Sequence, residues 1–159
     1  MPTVSYPSAQ FPGFPSVEVP RPDGWSPLAA PQVLLAVARD GAPGEFRANV
    51  VVTVTRLDAD QTLGTVAKAA AAALESRRDY AERRRDGIGI SGLPGYVVQG
   101  AWVSADAGTV AQDVRGVIVE HDGVRDLVEI TATCGGGQVD PAWAELQTIL
   151  DGIVIGVAR

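Results

Sequence analysis

The sequence predicts an α+β domain, in which an antiparallel β-sheet is flanked by two main helices at about residues 60–85 and 141–157. Three observations lead to this class. Several stretches alternate apolar and polar residues, as half-buried strands do, and two others repeat apolar residues at helical spacing. The chain of 159 residues, 46% of them hydrophobic, is also long enough to bury one core. We predict an extended proline-rich arm at residues 1–14 and a single domain at residues 15–159.

Proline dominates the first fifth of the chain, where eight of the 11 prolines lie at or before Pro31. Each proline fixes φ and removes a backbone donor, so this part of the sequence is not expected to form a helix. Residues 17–19 are predicted to form a short edge strand, a position at which prolines are tolerated, and Asp23-Gly24 is predicted to form a turn.

A hairpin and then a helix are predicted next. Residues 33–39 are apolar, residues 40–44 are rich in turn formers, and from residue 48 apolar and polar side chains alternate. Between residues 60 and 85 the apolar residues share one helical stripe, and Asp86-Gly87 is typical of the end of a helix. The stripe consists of Leu63, Val66, Ala70, Ala73, Leu74 and Ala81.

The second half of the sequence predicts a three-stranded meander and a closing helix. The strands are expected at residues 96–104, 109–120 and 124–134, with a tight turn at His121-Asp122-Gly123. In the closing helix the apolar residues recur at helical spacing, and this helix is expected to cover one face of the sheet. Those residues are Trp143, Leu146, Leu150, Ile153 and Val157.

The charge balance argues against two classes of partner. A formal net charge of -6 makes attraction to nucleic acid or to an anionic lipid surface unfavourable. The run Arg83-Arg84-Arg85 is balanced by nearby carboxylates, and we interpret it as a salt-bridged helical face. Nucleic-acid binding is therefore not predicted.

Cysteine usage and hydropathy predict where the protein resides. Cys134 is the only cysteine, so no disulfide can form within the chain and a reducing compartment is favoured. The N-terminus lacks the basic and apolar regions of a signal peptide, and no apolar run approaches the roughly 18 residues of a membrane span. We predict a cytoplasmic protein without an integral membrane segment, or a protein of the cell envelope if a leader has been omitted.

Few residues could carry chemistry. His121 is the only histidine, and the strand prediction places it on the order of 35 Å from Cys134, so the two cannot form a dyad. His121 is expected to be a solvated turn residue, Cys134 a buried and inert one, and Asp122 and Asp126 solvated hairpin charges. We predict no catalytic residue, no metal site and no cofactor.

Two glycine-rich motifs have the composition of phosphate-binding loops. Residues 87–92 spell the G-x-G-x-x-G fingerprint of dinucleotide-binding proteins, but they are predicted to follow a helix and not to open one. We interpret them as a helix cap and flexible connector. Gly135-Gly136-Gly137 lies between a predicted strand and helix but lacks the Lys and Ser/Thr of a phosphate-binding loop, so a connector is again favoured.

Aromatic residues are the best candidates for binding. Phe14 and Trp25 lie in irregular, proline-rich sequence, whereas Tyr96 and Trp102 belong to a predicted strand. Two interpretations are open. Either the N-terminal segment folds back and covers the sheet edge with its aromatic side chains, or these residues line an apolar groove for a ligand or partner.

The order of these features resembles the LpqN/LpqT family of actinobacterial lipoproteins. Residues 17–25 (VEVPRPDGW) are similar to the short strand and Pro-x-x-Gly-Trp turn that open that family. Residues 91–102 (SGLPGYVVQGAW) are similar to its Ser-Gly-x-Pro-x-Tyr strand, followed by Val110-Ala111-Gln112 on the next strand. Asp122-Gly123 and residues 127–131 resemble its later hairpin, so the similarity spans about residues 15–155 with the closing helix.

The resemblance implies a PsbP-like fold, no known catalytic residues and a non-enzymatic binding or adaptor role, because some family members are linked to glycolipid export or to protein partners. We predict a domain that binds a protein partner in an actinobacterial cell, and we allow for a homodimer. The alternative is a carrier of an amphiphilic small molecule or envelope glycolipid, held near Trp25, Tyr96 and Trp102. A hydrolase is the third hypothesis, disfavoured because the only histidine lacks a visible nucleophile.

Overall fold

The computed structural model describes residues 1–156, except for the side chains of residues 138–140. Two α-helices lie in this range, α1 (Leu63–Glu75) and α2 (Val139–Asp151), and a 3-10 turn at Gly136–Gln138 leads into α2. The strands are β1 (Ser16–Glu18), β2 (Trp25–Pro27), β3 (Leu35–Arg39), β4 (Asn49–Arg56), β5 (Ala81–Ile90), β6 (Leu93–Ser104), β7 (Gly108–His121), β8 (Val124–Gly135) and β9 (Val154–Gly156).

A seven-stranded antiparallel sheet forms the centre of the molecule, in the order β2-β3-β4-β8-β7-β6-β5. The two short strands β1 and β9 form a separate antiparallel pair. The predicted hairpin is confirmed as β3 and β4, and the predicted meander as β6, β7 and β8. Both helices have 13 residues. Neither is long and apolar enough to cross a membrane, within the part of the chain that is described.

Helix α1 begins at a capping box. Thr62 Oγ1 accepts from the N–H of Thr65 at 3.2 Å, and Thr65 Oγ1 accepts from the N–H of Thr62 at 2.9 Å. These bonds satisfy donors that the first turn leaves without partners. The helix ends at Glu75, and Asp79 takes a left-handed backbone conformation with φ +53°.

The prediction of a helix over residues 60–85 is therefore wrong in its second half, because Ala81–Ile90 pairs along β6 as strand β5. Ser91 and Gly92 both have positive φ and form a two-residue turn, which closes a tight hairpin. Asp86-Gly87 does not end a helix, and residues 87–92 are strand and turn instead of a flexible connector. Pairing with β6 has overridden the helical pattern of the charged residues.

The prediction of a helix over residues 141–157 is corrected in the same way. Helix α2 ends at Asp151, and Val154–Gly156 forms β9 against β1. Gly152 marks the change of direction, since a Cβ there would lie 2.6 Å from the ring of Pro20. The chain thus crosses closely over the N-terminal segment, and β9 fixes that segment in place. Val157, which was predicted to be helical, lies outside the described residues.

The two faces of the sheet carry separate cores. Helix α2 covers the face that we call the α2 face, where Trp25, Val52, Ile130, Leu146 and Ile149 are fully buried. Helix α1 lies mainly over β6 and β7 on the opposite face, the α1 face. The buried residues there are Val66, Ala71, Leu74, Tyr96, Val98 and Val114. Because β5 is not covered by α1, this face is left partly open at the sheet edge.

Candidate binding site

The four aromatic residues predicted to bind do not form one site. Trp25 is 1% exposed on the α2 face, where its Nε1 donates to a carboxylate oxygen of Glu145. Phe14 lies in the arm on the same side of the sheet. Tyr96 and Trp102 lie together on the α1 face, so only these two share surroundings.

Phe14 is held by an ionic cluster at one end of the α2 face. The guanidinium of Arg56 lies 5.1 Å from the centre of the Phe14 ring and donates to the carbonyl of Pro12 at 3.0 Å. Its Nε donates to Asp126 Oδ1 at 2.9 Å. The N-terminal arm therefore folds back onto the sheet, but at the end of the central strands β4 and β8 and not at a sheet edge, as one of the two interpretations of the aromatic residues expected.

The same cluster corrects the predictions for His121 and Asp126. Neither is solvated: the side chain of His121 is 3% exposed and that of Asp126 is fully buried. His121 Nε2 lies 2.6 Å from Asp126 Oδ2, and its Nδ1 lies 3.3 Å from Asp122 Oδ2. Only Asp122 is exposed, as predicted. Because both ring nitrogens face carboxylates, His121 is placed to hold the hairpin end and not to abstract a proton from a substrate.

Opposing effects set the charge of this cluster. Burial raises the pKa of Asp126, but hydrogen bonds from Arg56 and His121 outweigh it, so the pKa lies below its ordinary value. The hydrogen bond to Asp126 raises the pKa of Arg56. Asp126 and Arg56 are thus held as an ion pair at neutral pH.

A second buried ionic cluster joins α2 to the sheet. Arg115 donates through Nε to Asp113 at 2.9 Å, through Nη1 to Asp151 at 3.2 Å and through Nη2 to Gln147 at 3.0 Å. Gln99 also donates to Asp113, at 2.7 Å. These contacts join α2 to β6 and β7, so the cluster anchors α2 to the sheet.

Cys134 is fully buried on the α2 face, and burial raises the pKa of its thiol. It lies opposite Ala111, whereas His121 lies opposite Val124 at the other end of the same hairpin, so no dyad forms. Over the residues that the structure describes, no three His, Cys, Asp or Glu side chains come close enough to hold a metal ion.

An apolar groove lies on the α1 face between helix α1 and the hairpin of β5 and β6. It has a volume of about 330 Å³ and is open to solvent along one side. Its lining residues are Leu63, Gly64, Ala67 and Lys68 of α1, Arg85, Asp86 and Gly87 of β5, and Gly95, Tyr96, Val97 and Val98 of β6. This volume lies at the small end of the range for ligand pockets, which is about 300 to 1,000 Å³.

Tyr96 forms the floor of the groove. Its hydroxyl donates to Glu129 Oε2 at 2.8 Å and reaches across Gly116, which stands between the two residues in the sheet register. A Cβ at Gly116 would lie only 2.4 Å from the Tyr96 ring, so glycine is required there. Burial, reinforced by the carboxylate of Glu129, raises the pKa of Tyr96 well above its ordinary value. The floor is therefore a fixed, neutral ring.

The outer wall of the groove is the edge strand β5. The turn at Ser91-Gly92 makes Ile90 and Leu93 a hydrogen-bonded pair, and such pairs alternate along an antiparallel ladder. Gly89 therefore pairs with Pro94 without hydrogen bonds, which agrees with the missing N–H of proline. The N–H and C=O groups of Gly87 and Gly89 consequently point away from β6, toward the open edge.

The segment from α1 to β5 that borders this groove is rich in basic residues in an otherwise acidic protein, and two of them, Lys68 and Arg85, line the groove. Residues 68–86 contain six of the 13 basic residues but four of the 19 acidic ones. Arg85 pairs with Glu75 and Glu82, and Arg84 lies 3.6 Å from Asp86. Lys68 and Arg83 have no ion-pair partner among the described residues. The run at residues 83–85 is thus a strand at the groove, and not the helical face that was predicted.

Beyond Tyr96, sequence reasoning missed the residues of the groove. Leu63 was assigned to the stripe that packs on the sheet, and Gly87 to a helix cap. One signal was available: Ser91-Gly92 stands between Ile90 and Leu93, a spacing typical of a two-residue hairpin. Reading that turn would have predicted β5 as a strand and placed Gly87 and Gly89 on it.

Comparisons with known proteins agree with this architecture. A family model described as "Probable lipoprotein LpqN" matches residues 5–156. The search of curated proteins finds no match. Among solved structures, the chain is similar to LpqN of Mycobacterium tuberculosis, described as involved in cell envelope biogenesis. That match has 14% identity and a TM-score of 0.78, and it covers 91% of this chain and 86% of the other.

Two further structures share the fold at low identity. Cyanobacterial PsbP from Synechocystis has 13% identity and a TM-score of 0.56, with 98% of each chain covered. The Ran-binding protein Mog1p of Saccharomyces cerevisiae has 10% identity and a TM-score of 0.53, with 84% of this chain and 86% of the other covered. The predicted family resemblance and the PsbP-like α+β fold are both confirmed.

Proposed function

We propose that this chain, which belongs to the family of the probable lipoprotein LpqN, is a non-enzymatic domain that binds a protein partner through the groove between α1 and the β5–β6 hairpin. The observation that carries the proposal is the contrast between the two faces of the sheet. The α2 face is filled by α2, the arm and two ionic clusters, whereas the α1 face keeps an apolar groove beside an uncovered strand.

The chemistry of the ionisable groups supports binding over catalysis. His121 has carboxylates at both ring nitrogens, and Cys134 is fully buried with a raised thiol pKa. Neither group is poised to act as a base or nucleophile. The groove itself presents aliphatic side chains, a tyrosine ring and Lys68, which has no ion-pair partner among the described residues, and this combination suits recognition of apolar and acidic groups.

The structural neighbours support the same class of role. LpqN is described as involved in cell envelope biogenesis and Mog1p as a Ran-binding protein. At 14% and 10% identity these neighbours show the fold alone. What we extend to this chain, as part of the proposal, is that the fold serves as a binding platform.

Site-specific photo-cross-linking in the native host tests the proposal. A photoreactive benzoylphenylalanine at Lys68 would face the groove, whereas the same group at Ala69, which is exposed and about 100° further round the same helix, would face away from it. We expect one discrete protein adduct from position 68 and none from position 69. The purified partner should then bind this chain saturably.

A groove-narrowing variant checks that the groove is what the partner occupies. Gly87 lies on β5 without a positive φ, and a Cβ there would meet only the carbonyl oxygen of Gly95 at 3.9 Å. Gly87→Val should therefore fold normally and weaken partner binding at least about tenfold, since its methyl groups enter the groove. Equal adducts at positions 68 and 69, or binding that Gly87→Val leaves intact, would contradict the proposal.

The carrier hypothesis keeps one specific observation in its favour. An apolar groove of about 330 Å³ with Lys68 and Arg85 at its rim suits a short aliphatic chain with an anionic head. The groove lies on the opposite face from Trp25, so the predicted site between the sheet and the N-terminal segment is not where such a ligand would lie. Native mass spectrometry of gently purified protein tests the carrier hypothesis. One amphiphile bound per chain in the wild type, and none in Gly87→Val, would support a carrier, whereas a wild-type chain without any bound molecule would exclude it.

A further inference from the structure

We infer that the partner binds as an added β-strand on the open edge of β5. It would be an extended segment of a protein that places alternate apolar side chains in the groove and carries acidic residues against Lys68. The inference rests on the proposed function and names the binding mode and the chemistry of the segment. Edge-strand addition beside a helix is a general way in which domains capture peptides.

The open edge already has the required backbone groups. The N–H and C=O of Gly87 and Gly89 point away from β6, and in the free protein Asp86 Oδ1 accepts from the N–H of Gly87 at 2.9 Å. An incoming strand would replace that carboxylate with a main-chain carbonyl. Arg85 has the same orientation as Gly87 in the ladder, so about three residues of β5 can pair with the segment.

Glycine at positions 87 and 89 is not required by the fold. Neither residue has a positive φ, and a Cβ at Gly89 would meet no atom within 4 Å. By contrast, the fold requires glycine at positions 95 and 116, because a Cβ would lie 2.7 Å from the nearest atom at Gly95 and 2.4 Å from it at Gly116. Glycine weakens a strand and often marks the close approach of another backbone. Gly87 and Gly89 lie on the open edge and are not required by the fold, so they indicate that another backbone approaches this edge closely.

The position of the groove determines which residues of the bound segment should be apolar. Arg85 and Gly87 lie opposite Val98 and Tyr96, whose side chains are on the α1 face. Every second side chain of an added strand would project to that same face, at a spacing of about 6.6 Å. These side chains would lie in or next to the groove, which is lined by aliphatic residues of α1 and by the Tyr96 ring. Alternate apolar residues therefore match it.

Charge and strand geometry favour a foreign segment over a second copy of this chain. A β-bulge between Glu82 and Arg84 interrupts the edge, so the regular part runs only from Arg84 to Ile90. A second copy of β5, paired antiparallel through the same edge, would project Arg85, Gly87 and Gly89 to the α1 face, and these residues offer no apolar side chain to the groove. An acidic segment with apolar residues can instead fill the groove and pair with Lys68, which lines it and lacks an ion-pair partner among the described residues.

The experiment uses the full chain and a capped peptide probe: two glutamates, Val-Ser-Val-Ser-Val, and two more glutamates. A peptide with lysines in place of the glutamates, and one with the same composition but adjacent valines, are the controls. Binding is followed by amide chemical shifts of the labelled protein. We expect saturable shifts at Arg85, Gly87, Gly89 and Lys68, and at least about fivefold weaker binding of both control peptides.

A matched pair of variants tests the backbone pairing. Gly89→Pro removes an N–H that points to the open edge and leaves the ladder with β6 intact, whereas Gly89→Ala keeps that N–H at similar size. We expect Gly89→Pro to weaken peptide binding about tenfold and Gly89→Ala less than threefold, with both variants melting within a few degrees of the wild type. Equal binding by the two variants, or no binding of the acidic peptide to the wild type, overturns the inference.

The same variants separate this inference from the proposed function. If the partner captured at position 68 binds Gly89→Pro normally but fails to bind Gly87→Val, the groove is the site and strand addition is wrong. If that partner binds both variants normally, the proposed function itself fails. A dimer of the wild type that Gly89→Pro dissociates would show that the second strand is another copy of this chain, and would overturn the choice of a foreign segment.

Discussion

Gly116→Ala should be among the most damaging small substitutions in this protein. Gly116 lies in β7 between β6 and β8, so its backbone is paired on both sides and cannot retreat. A Cβ there would lie 2.4 Å from Cε1, Cζ and Oη of Tyr96. The tyrosine ring must therefore move, and with it the hydrogen bond to Glu129 and the floor of the groove.

The size of the effect follows from three contributions. Forcing a methyl group into packed surroundings costs about 1 to 3 kcal/mol. Losing a hydrogen bond to a charged group costs about 1.5 to 3 kcal/mol. Replacing glycine by alanine within a strand returns about 0.5 to 1 kcal/mol. We expect a loss of about 2 to 5 kcal/mol in the free energy of unfolding, measured by urea denaturation with tryptophan fluorescence.

A double-mutant cycle identifies Tyr96 as the cause. In a Tyr96→Ala background the ring is absent, so Gly116→Ala should be neutral or slightly stabilising there. The coupling between the two substitutions should reach about 2 kcal/mol or more. If Gly116→Ala costs less than about 0.5 kcal/mol in the wild type, or the same in both backgrounds, the stated role of Gly116 is refuted.

Three further predictions concern residues away from Gly116. The lowered pKa of Asp126 stabilises the fold above the ordinary value of 3.8, and this contribution is lost as pH falls through the lower folded value. The free energy of unfolding of the wild type should therefore decline from about pH 4 downward, and more steeply than that of Asp126→Asn. At pH 7 the Asp126→Asn variant should be about 3 kcal/mol less stable, as measured by urea titration at each pH. Trp102 is half-buried, and its ring centre lies 5.5 Å from the Arg77 guanidinium. Trp102→Ala should therefore lower the free energy of unfolding by about 2 kcal/mol, which is less than the 3 to 5 kcal/mol typical of a ring in the core. A loss below about 0.5 kcal/mol in thermal melts would show that this ring does not pack against the protein. In an alkaline absorbance titration, Tyr80 and Tyr96 should ionise above the ordinary range of tyrosine, because burial raises the pKa of both side chains. Ionisation of Tyr96 within the ordinary range would contradict the burial of the groove floor.

The sequence was most informative where alternation was regular. Strands β4, β6, β7 and β8 were predicted within a few residues, because an apolar residue at every second position leaves few other ways to bury it. The single buried cysteine was also placed correctly, on the face that α2 covers. These are properties of local pattern, and they need no knowledge of what packs where.

The errors share one physical cause. Residues 77–86 are mostly charged, and several of them are of types that favour helices. Their pattern therefore predicted a helix about ten residues longer than α1. What makes them a strand is the partner β6, which lies beyond the turn at Ser91-Gly92. Likewise, Ile153 and Val154 leave α2 because β1, more than 130 residues earlier, pairs with β9. Such long-range pairing overrides local propensity.

The ionic clusters were beyond prediction for a related reason. Asp126 is buried because Arg56, 70 residues earlier, reaches it from the neighbouring strand and is itself covered by the arm. Asp113 is buried because Gln99, Arg115 and Gln147 converge on it from three elements. A charge that looks solvated in sequence becomes buried only when several distant partners satisfy it, and spacing along one strand does not reveal those partners.

The distribution of anchors explains why the binding surface belongs on the α1 face. On the α2 face, Trp25 is tied to Glu145, Arg115 to Asp151, and Arg56 to Asp126, so helix, arm and sheet are fixed to one another by buried or half-buried polar contacts. Helix α1 instead meets the sheet through small and aliphatic residues, and its Glu75 pairs with Arg85 at the surface, a kind of contact that contributes little. Aliphatic contacts are non-directional and tolerate small shifts of a helix. An incoming segment can therefore be accommodated beside α1 without breaking a buried ionic bond, and the same segment could not enter the α2 face without breaking several.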